Sequence, residues 1–153
     1  MHDSVKVKKE INGVCTLTLN RSEKHNAFND VLIAELISHI QSIHNDTSIR
    51  LLILTGAGKS FSSGADLNWM RSMINFDLAH NRAEALKLAD LMRQLYELNQ
   101  PSIARINGSA YGGALGLIAC CDFAIATDQA TFAFTEVKLG LVPAVISPYI
   151  IRA

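Results

Sequence analysis

Two glycine-rich turns hold the residues of this chain whose types and spacing could do chemistry: Ser62-Ser63-Gly64-Ala65-Asp66 and Asn107-Gly108-Ser109-Ala110-Tyr111-Gly112-Gly113. Each reads as the passage from a strand into a helix. A helix start carries unpaired N–H groups and the positive end of the helix dipole, so it suits an anion or an oxygen that becomes one. Two such N–H groups aimed at one oxygen form an oxyanion hole, and removing one donor costs about 3 kcal/mol of barrier lowering. The stretch Thr55 to Met70 imitates other motifs and fails each of them. A phosphate loop needs a glycine where Ile53 stands, the dinucleotide fingerprint needs one where Phe61 stands, and a nucleophile elbow needs a G-x-S-x-G that is not supplied. No Ser/His or Cys/His pairing at recognisable spacing provides a nucleophile. The anion to be held is then better read as a thioester enolate than as a tetrahedral acyl intermediate. Taken alone, either turn also fits an ordinary strand-to-helix junction, and Glu136, between Phe134 and Val137, fits a solvated strand-end charge.

The flanking pattern says what must position these turns. Val5 to Lys8 and Val14 to Leu19 alternate about Asn12-Gly13, which predicts a β-hairpin with a two-residue turn and sets Cys15, Leu17 and Leu19 opposite Thr16 and Thr18. Asn29-Asp30 can cap a helix whose Leu32, Leu36, Ile40 and Ile43 recur at helical spacing. Ile49 to Leu54 is an apolar run expected as a buried strand. Asp77 to Leu98 predicts a long helix ended by Gln100-Pro101, with Leu86, Leu91, Leu95 and Leu98 as core candidates. Ser102 to Ile106, Phe123 to Ala126 and Thr131 to Phe134 read as strands, Leu115 to Cys121 as a short apolar helix, and Val145 to Arg152 as the start of another. Alternating strands and helices argue for an α/β architecture with the helices outside.

Whole-chain properties exclude several classes of function. The 153 residues fit a single domain over 1–153, and 49% hydrophobic content supports a substantial core. Fourteen basic and fourteen acidic side chains cancel, so no basic footprint favours nucleic acid or an acidic membrane surface. No stretch has the length of a signal-peptide core or a bilayer span. The cysteines Cys15, Cys120 and Cys121 form no C-x-x-C pair and fit reduced core thiols in a cytoplasmic setting. The five histidines show no metal-ligand spacing. The apolar run Ser147 to Ala153 closes the sequence without a polar terminator, which leads us to expect a fragment of a longer protein.

Four stretches, in this order, resemble the signatures of the enoyl-CoA hydratase/isomerase (crotonase) superfamily. They are Leu19-Asn20-Arg21 with Lys24-His25-Asn26-Ala27-Phe28, Phe61 to Leu67, Asn107-Gly108 through Gly112-Gly113 to Cys121-Asp122, and Thr135-Glu136 with Leu139-Gly140-Leu141-Val142-Pro143. The resemblance covers almost the whole chain. It implies a crotonase-like spiral of ββα turns, truncated before the C-terminal helices through which the family forms homo-trimers or hexamers. It implies an acyl-CoA substrate and no cofactor or metal, coenzyme A being part of the substrate. By position, the N–H groups of Ala65 and Gly113 match the oxyanion hole and Glu136 the catalytic carboxylate. Lys24, Ala27, Ala65, Asp66, Leu67, Asn68 and Gly113 match positions along the CoA thioester, with Asp66 also expected to cap its own helix.

One departure bears on mechanism: where many hydratases of the family carry a first glutamate, three residues after Gly113, this chain has Gly116. A single carboxylate can serve hydration if Glu136 both activates water and returns the proton, and it also suits double-bond isomerisation. The segments Leu67 to Met73, Gly113 to Asp122 and Leu141 to Pro148 are similar to those of bacterial methylglutaconyl-CoA hydratases of leucine and isovalerate breakdown. That likeness implies a branched, carboxylated substrate. Trp69, Met70 and Met73 lie on a predicted helix beside the glycine loop, where they can shape the acyl pocket; at helical spacing the same three more often form plain core. An enoyl-CoA isomerase and a non-catalytic acyl-CoA-binding protein are the rival expectations.

Overall fold

The computed structural model describes residues 3–153. It is built from ββα turns around two sheets. Strands β1 (Val5–Lys9) and β2 (Val14–Leu19) form the antiparallel hairpin, and α1 (Asp30–His44) follows. Each later turn places one strand in a five-stranded sheet and the next in a three-stranded sheet. β3 (Leu51–Gly56) leads to β4 (Ser60–Ser62), then α2 (Leu67–Ser72) and α3 (Leu78–Tyr96). β5 (Ser102–Ile106) leads to β6 (Ser109–Tyr111) and α4 (Ala114–Cys120). β7 (Phe123–Ala126) leads to β8 (Phe132–Ala133), a 3-10 turn at Thr135–Leu139 and α5 (Ser147–Arg152). The larger sheet has the order β1-β2-β3-β5-β7, parallel after the first pair; the smaller has the order β4-β6-β8 and is parallel throughout.

The core lies between the larger sheet and the helix pair α1 and α3. Cys15, Leu17 and Leu19 of β2, Leu52 and Leu54 of β3, and Ala104 and Ile106 of β5 meet Leu32, Ile33, Leu36, Ile40 and Ile43 of α1 and Leu91, Met92 and Leu95 of α3. Each fully buried Leu or Ile contributes about 1.5–3 kcal/mol relative to exposure, so α1 is held far more by its apolar stripe than by intrinsic propensity. Its start is set by Asn29, whose side chain accepts a hydrogen bond from the Leu32 N–H at 3.0 Å.

The structure departs from the sequence reading in four places. The hairpin closes through a three-residue loop, Ile11 to Gly13, because Glu10 N–H donates to Val14 O at 2.8 Å and only Gly13 adopts a positive φ; a two-residue type I′ turn needs two such residues. Leu86 is exposed, since the face of α3 turned to the core carries Leu88, Leu91, Met92 and Leu95, from which Leu86 is offset around the helix; Leu98, past the helix end, also packs against the core. β3 starts at Leu51, two residues later than expected, although Ile49 is buried. The strands β4 and β6 were not anticipated at all: each is three residues long and sits inside a glycine-rich connection. They matter most for the site.

Candidate active site

The three strands of the smaller sheet run parallel and adjacent, and the chain leaves their carboxyl ends into the three segments singled out above. β4 ends at Ser62 and passes into Ser63-Gly64-Ala65, β6 ends at Tyr111 and passes into Gly112-Gly113, and β8 ends at Ala133 and passes into Thr135-Glu136. Ligands of parallel sheets sit at such carboxyl ends. The register Ser62↔Ala110 and Tyr111↔Ala133 brings the segments level.

Gly64 is where the first two turns touch. Its φ of +83° suits glycine, and a Cβ there would stand 2.8 Å from the Tyr111 carbonyl oxygen and 3.5 Å from the Gly113 nitrogen. The neighbouring Ala65 pairs with Phe28 in a parallel bridge, through Phe28 N–H to Gly64 O at 2.7 Å and Asp66 N–H to Phe28 O at 2.8 Å. That bridge uses the groups on either side of Ala65 and not its own N–H. Among the described residues no hydrogen bond takes the N–H of Ala65 or of Gly113. Two unused donors therefore stand on turns that pack against each other.

Glu136 completes the group. A Cβ on Gly112 would lie 3.3 Å from Glu136 Oε1, so the carboxylate lies against the second turn. Its other oxygen, Oε2, is buried without a hydrogen-bond partner among the described residues. An unpaired buried carboxylate oxygen is costly in a structural role and apt for accepting a proton from a ligand or water.

Asp66 fixes the entry to α2. Its Oδ1 accepts from the N–H groups of Asn68 at 2.9 Å and Trp69 at 3.5 Å, and its Oδ2 pairs with Arg21 Nη2 at 3.0 Å. Burial works against its ionisation, but the Arg21 hydrogen bond and the two N–H groups outweigh burial and hold its pKa below the ordinary carboxylate value. Asn26 anchors the loop before α1. It is fully buried in a left-handed backbone conformation, its Nδ2 donates to the carbonyls of Ala57, Ser60 and Phe61 at 2.9–3.1 Å, and its Oδ1 accepts from Arg21 N–H.

These elements surround a cavity of about 620 Å³. Lys24, Ala27, Ala65, Asp66, Leu67, Asn68, Met70, Gly113 and Glu136 line it, which brings together every residue nominated from the sequence except two. Trp69 and Met73 do not line it. On α2 the residues 67, 68, 70 and 71 share one face; Trp69 turns away and packs against the core, and Met73 lies beyond the helix in a 3-10 turn. Sequence reasoning missed the lining cations Arg71 and Lys138, and it missed Arg21 and Asn26 as supports. Charge type alone could have drawn attention to Arg71, one helical turn beyond Leu67.

Gly116 bears no side chain for a steric reason. A Cβ there would lie 2.2 Å from Cγ2 and 2.9 Å from Cβ of Ile146, so the space is already filled.

A parallel-strand spiral with two free backbone donors and the Glu136 carboxylate at a shared cavity defines a class of protein, and similarity identifies which: the chain belongs to the enoyl-CoA hydratase/isomerase family, whose family model matches residues 9–153. Its fold is the crotonase-like spiral expected from the sequence. The solved structure of an enoyl-CoA hydratase from Shewanella pealeana ATCC 700345 is similar with a TM-score of 0.95 at 47% identity, over 98% of this chain and 56% of that one. The 1,2-epoxyphenylacetyl-CoA isomerase of Escherichia coli strain K12 is 39% identical over 133 residues, 86% of this chain and 50% of that protein. The 2,3-dehydroadipyl-CoA hydratase of the same strain is 36% identical over 130 residues, 85% of this chain and 49% of that protein. The chain thus spans about half the length of the curated relatives it matches.

Proposed function

We propose that this chain carries the catalytic core of an enoyl-CoA hydratase that adds water to a branched, carboxylated enoyl-CoA of the methylglutaconyl type. The observation that supports it best is the convergence of the free Ala65 and Gly113 N–H groups with the Glu136 side chain, one of whose carboxylate oxygens is buried without a partner, on one cavity. In this reading the thioester oxygen accepts from both N–H groups, which lowers the cost of the enolate as it forms. Glu136 takes a proton from water while the water oxygen bonds to the β-carbon, and then returns that proton to the α-carbon. The double bond is consumed, one water is added, and no redox partner is needed. Lys24, Ala27, Leu67 and Asn68 lie along the CoA portion, and Met70 faces the acyl group. The substrate's branched, carboxylated character rests on sequence likeness alone.

The experiment is Glu136→Gln, with products resolved by mass. We expect turnover to fall on the order of 10²-fold or more while CoA affinity stays within about twofold, because the side chain keeps its shape and loses its base. Unchanged turnover would remove Glu136 from the mechanism. The second reading, double-bond isomerisation, is favoured by Gly116, which leaves Glu136 without a second glutamate at the first-glutamate position of many hydratases. A product heavier by one water separates hydration from isomerisation, and thioester binding without any product would point to a non-catalytic binder.

A further inference from the structure

Gly116 lies inside α4, where glycine costs about 1 kcal/mol relative to alanine and where its backbone conformation does not call for glycine. What calls for it is the approach of Ile146. A Cβ at 116 would meet the root of that side chain, Cγ2 at 2.2 Å and Cβ at 2.9 Å, and also Met92 Cε at 3.1 Å; the first two belong to a stiff branched group that cannot swing aside. Ile146 is 2% exposed and stands at the head of α5.

Both partners of this contact are tied to the site. Gly116 N–H donates to Gly113 O at 3.1 Å, so Gly116 sits one turn behind the residue that offers the second free N–H. Ile146 ends the segment that starts at Glu136, whose carbonyl accepts from the Leu141 N–H at 3.1 Å. The contact therefore joins the element carrying the donor to the segment carrying the carboxylate.

Resting on the functional reading above, we infer that Gly116 and Ile146 are a coupled pair of positioning residues that hold the Gly113 N–H in register with Glu136. Neither lines the cavity, so their effect on substrate passes through the two groups they hold. A side chain at 116 must displace either the first turn of α4 or the start of α5. A displacement of about 1 Å at such a site can cost on the order of 10²-fold in rate.

The test compares the unsubstituted chain with Gly116→Ala, Ile146→Gly and the double variant. Acetoacetyl-CoA is titrated into each and followed by the ultraviolet band of its enolate, with free CoA as the measure of binding away from the donors. We expect Gly116→Ala to weaken enolate formation by about 10- to 100-fold with CoA affinity changed less than about twofold, and the double variant to recover most of the loss. If Gly116→Ala does not fold, Ile146→Gly, which adds no atom, carries the test through the same split between enolate and CoA. An enolate band that survives Gly116→Ala intact, or losses that simply add in the double variant, would overturn the inference while leaving the functional reading in place. An unsubstituted chain that binds CoA but gives no enolate band would overturn the functional reading, and the positioning role with it.

Discussion

Asp66 is bound on both carboxylate oxygens, one by Arg21 and the other by the first N–H groups of α2. Both side chains of the pair are largely buried, at 16% and 13% exposed, so Asp66→Asn should lower the unfolding free energy by about 1–3 kcal/mol. The pH dependence follows from the sign of the shift. In the folded chain the Asp66 pKa lies below the ordinary 3.8, so its contribution is present above that value and is lost as pH falls through the folded pKa. Urea unfolding from pH 7 to strongly acidic pH should show the variant and the unsubstituted chain converging at the acid end; a constant gap would show that the ionised pair is not the source. At this scale Ala65, Gly113 and Glu136 were legible because they sit in short contiguous motifs. Arg21 was not, since its partner lies 45 residues away and local spacing says nothing of it. Of the three acyl-pocket candidates Met70 lines the cavity, whereas Trp69 packs against the core, the other role its helical spacing allows, and Met73 lies beyond the end of α2.

The smaller sheet is the element that converts three distant segments into one site, and Asn26 fastens the neighbouring loop to it. Its amide holds three carbonyls on and around β4 and accepts from the Arg21 N–H. Asn26→Ala would leave these buried groups unsatisfied, and we expect a loss of about 2–5 kcal/mol, read from the urea midpoint at constant slope. A loss below about 1 kcal/mol would mean that water replaces the amide. The long elements are readable: α1 with its Asn29 cap and α3 announce themselves by helical spacing, the hairpin strands by alternation, and β3 by its apolar run. β4 and β6 did not, because three residues are too few to show a period of two and their neighbours are glycines. The hairpin loop was misjudged for a related reason. Asn12-Gly13 is compatible with two turn geometries, and the choice between them lies in the pairing of Glu10 with Val14.

Across the whole molecule, apolar surface is unevenly covered. β7 is an edge of the larger sheet and is exposed at every position, with Phe123 at 64% and Ile125 at 60%, whereas the inner parallel strands β3 and β5 bury alternate residues against the helices. Phe132, Phe134, Val137 and Val142, later in the chain, are exposed as well. Parallel strands are ordinarily covered on both faces, and an uncovered apolar edge invites association. We therefore expect this 153-residue chain to bind a hydrophobic dye and to sediment faster as concentration rises. Ile125→Lys should reduce both effects by placing a charge in the middle of the bare strand. Ile11→Lys should change neither, because Ile11 is fully exposed on the hairpin loop but isolated from that surface. If the two substitutions act alike, the association follows total hydrophobicity rather than the β7 edge. If only Ile125→Lys acts, the edge is where chains meet, since a single charge there would have to be desolvated for every contact formed.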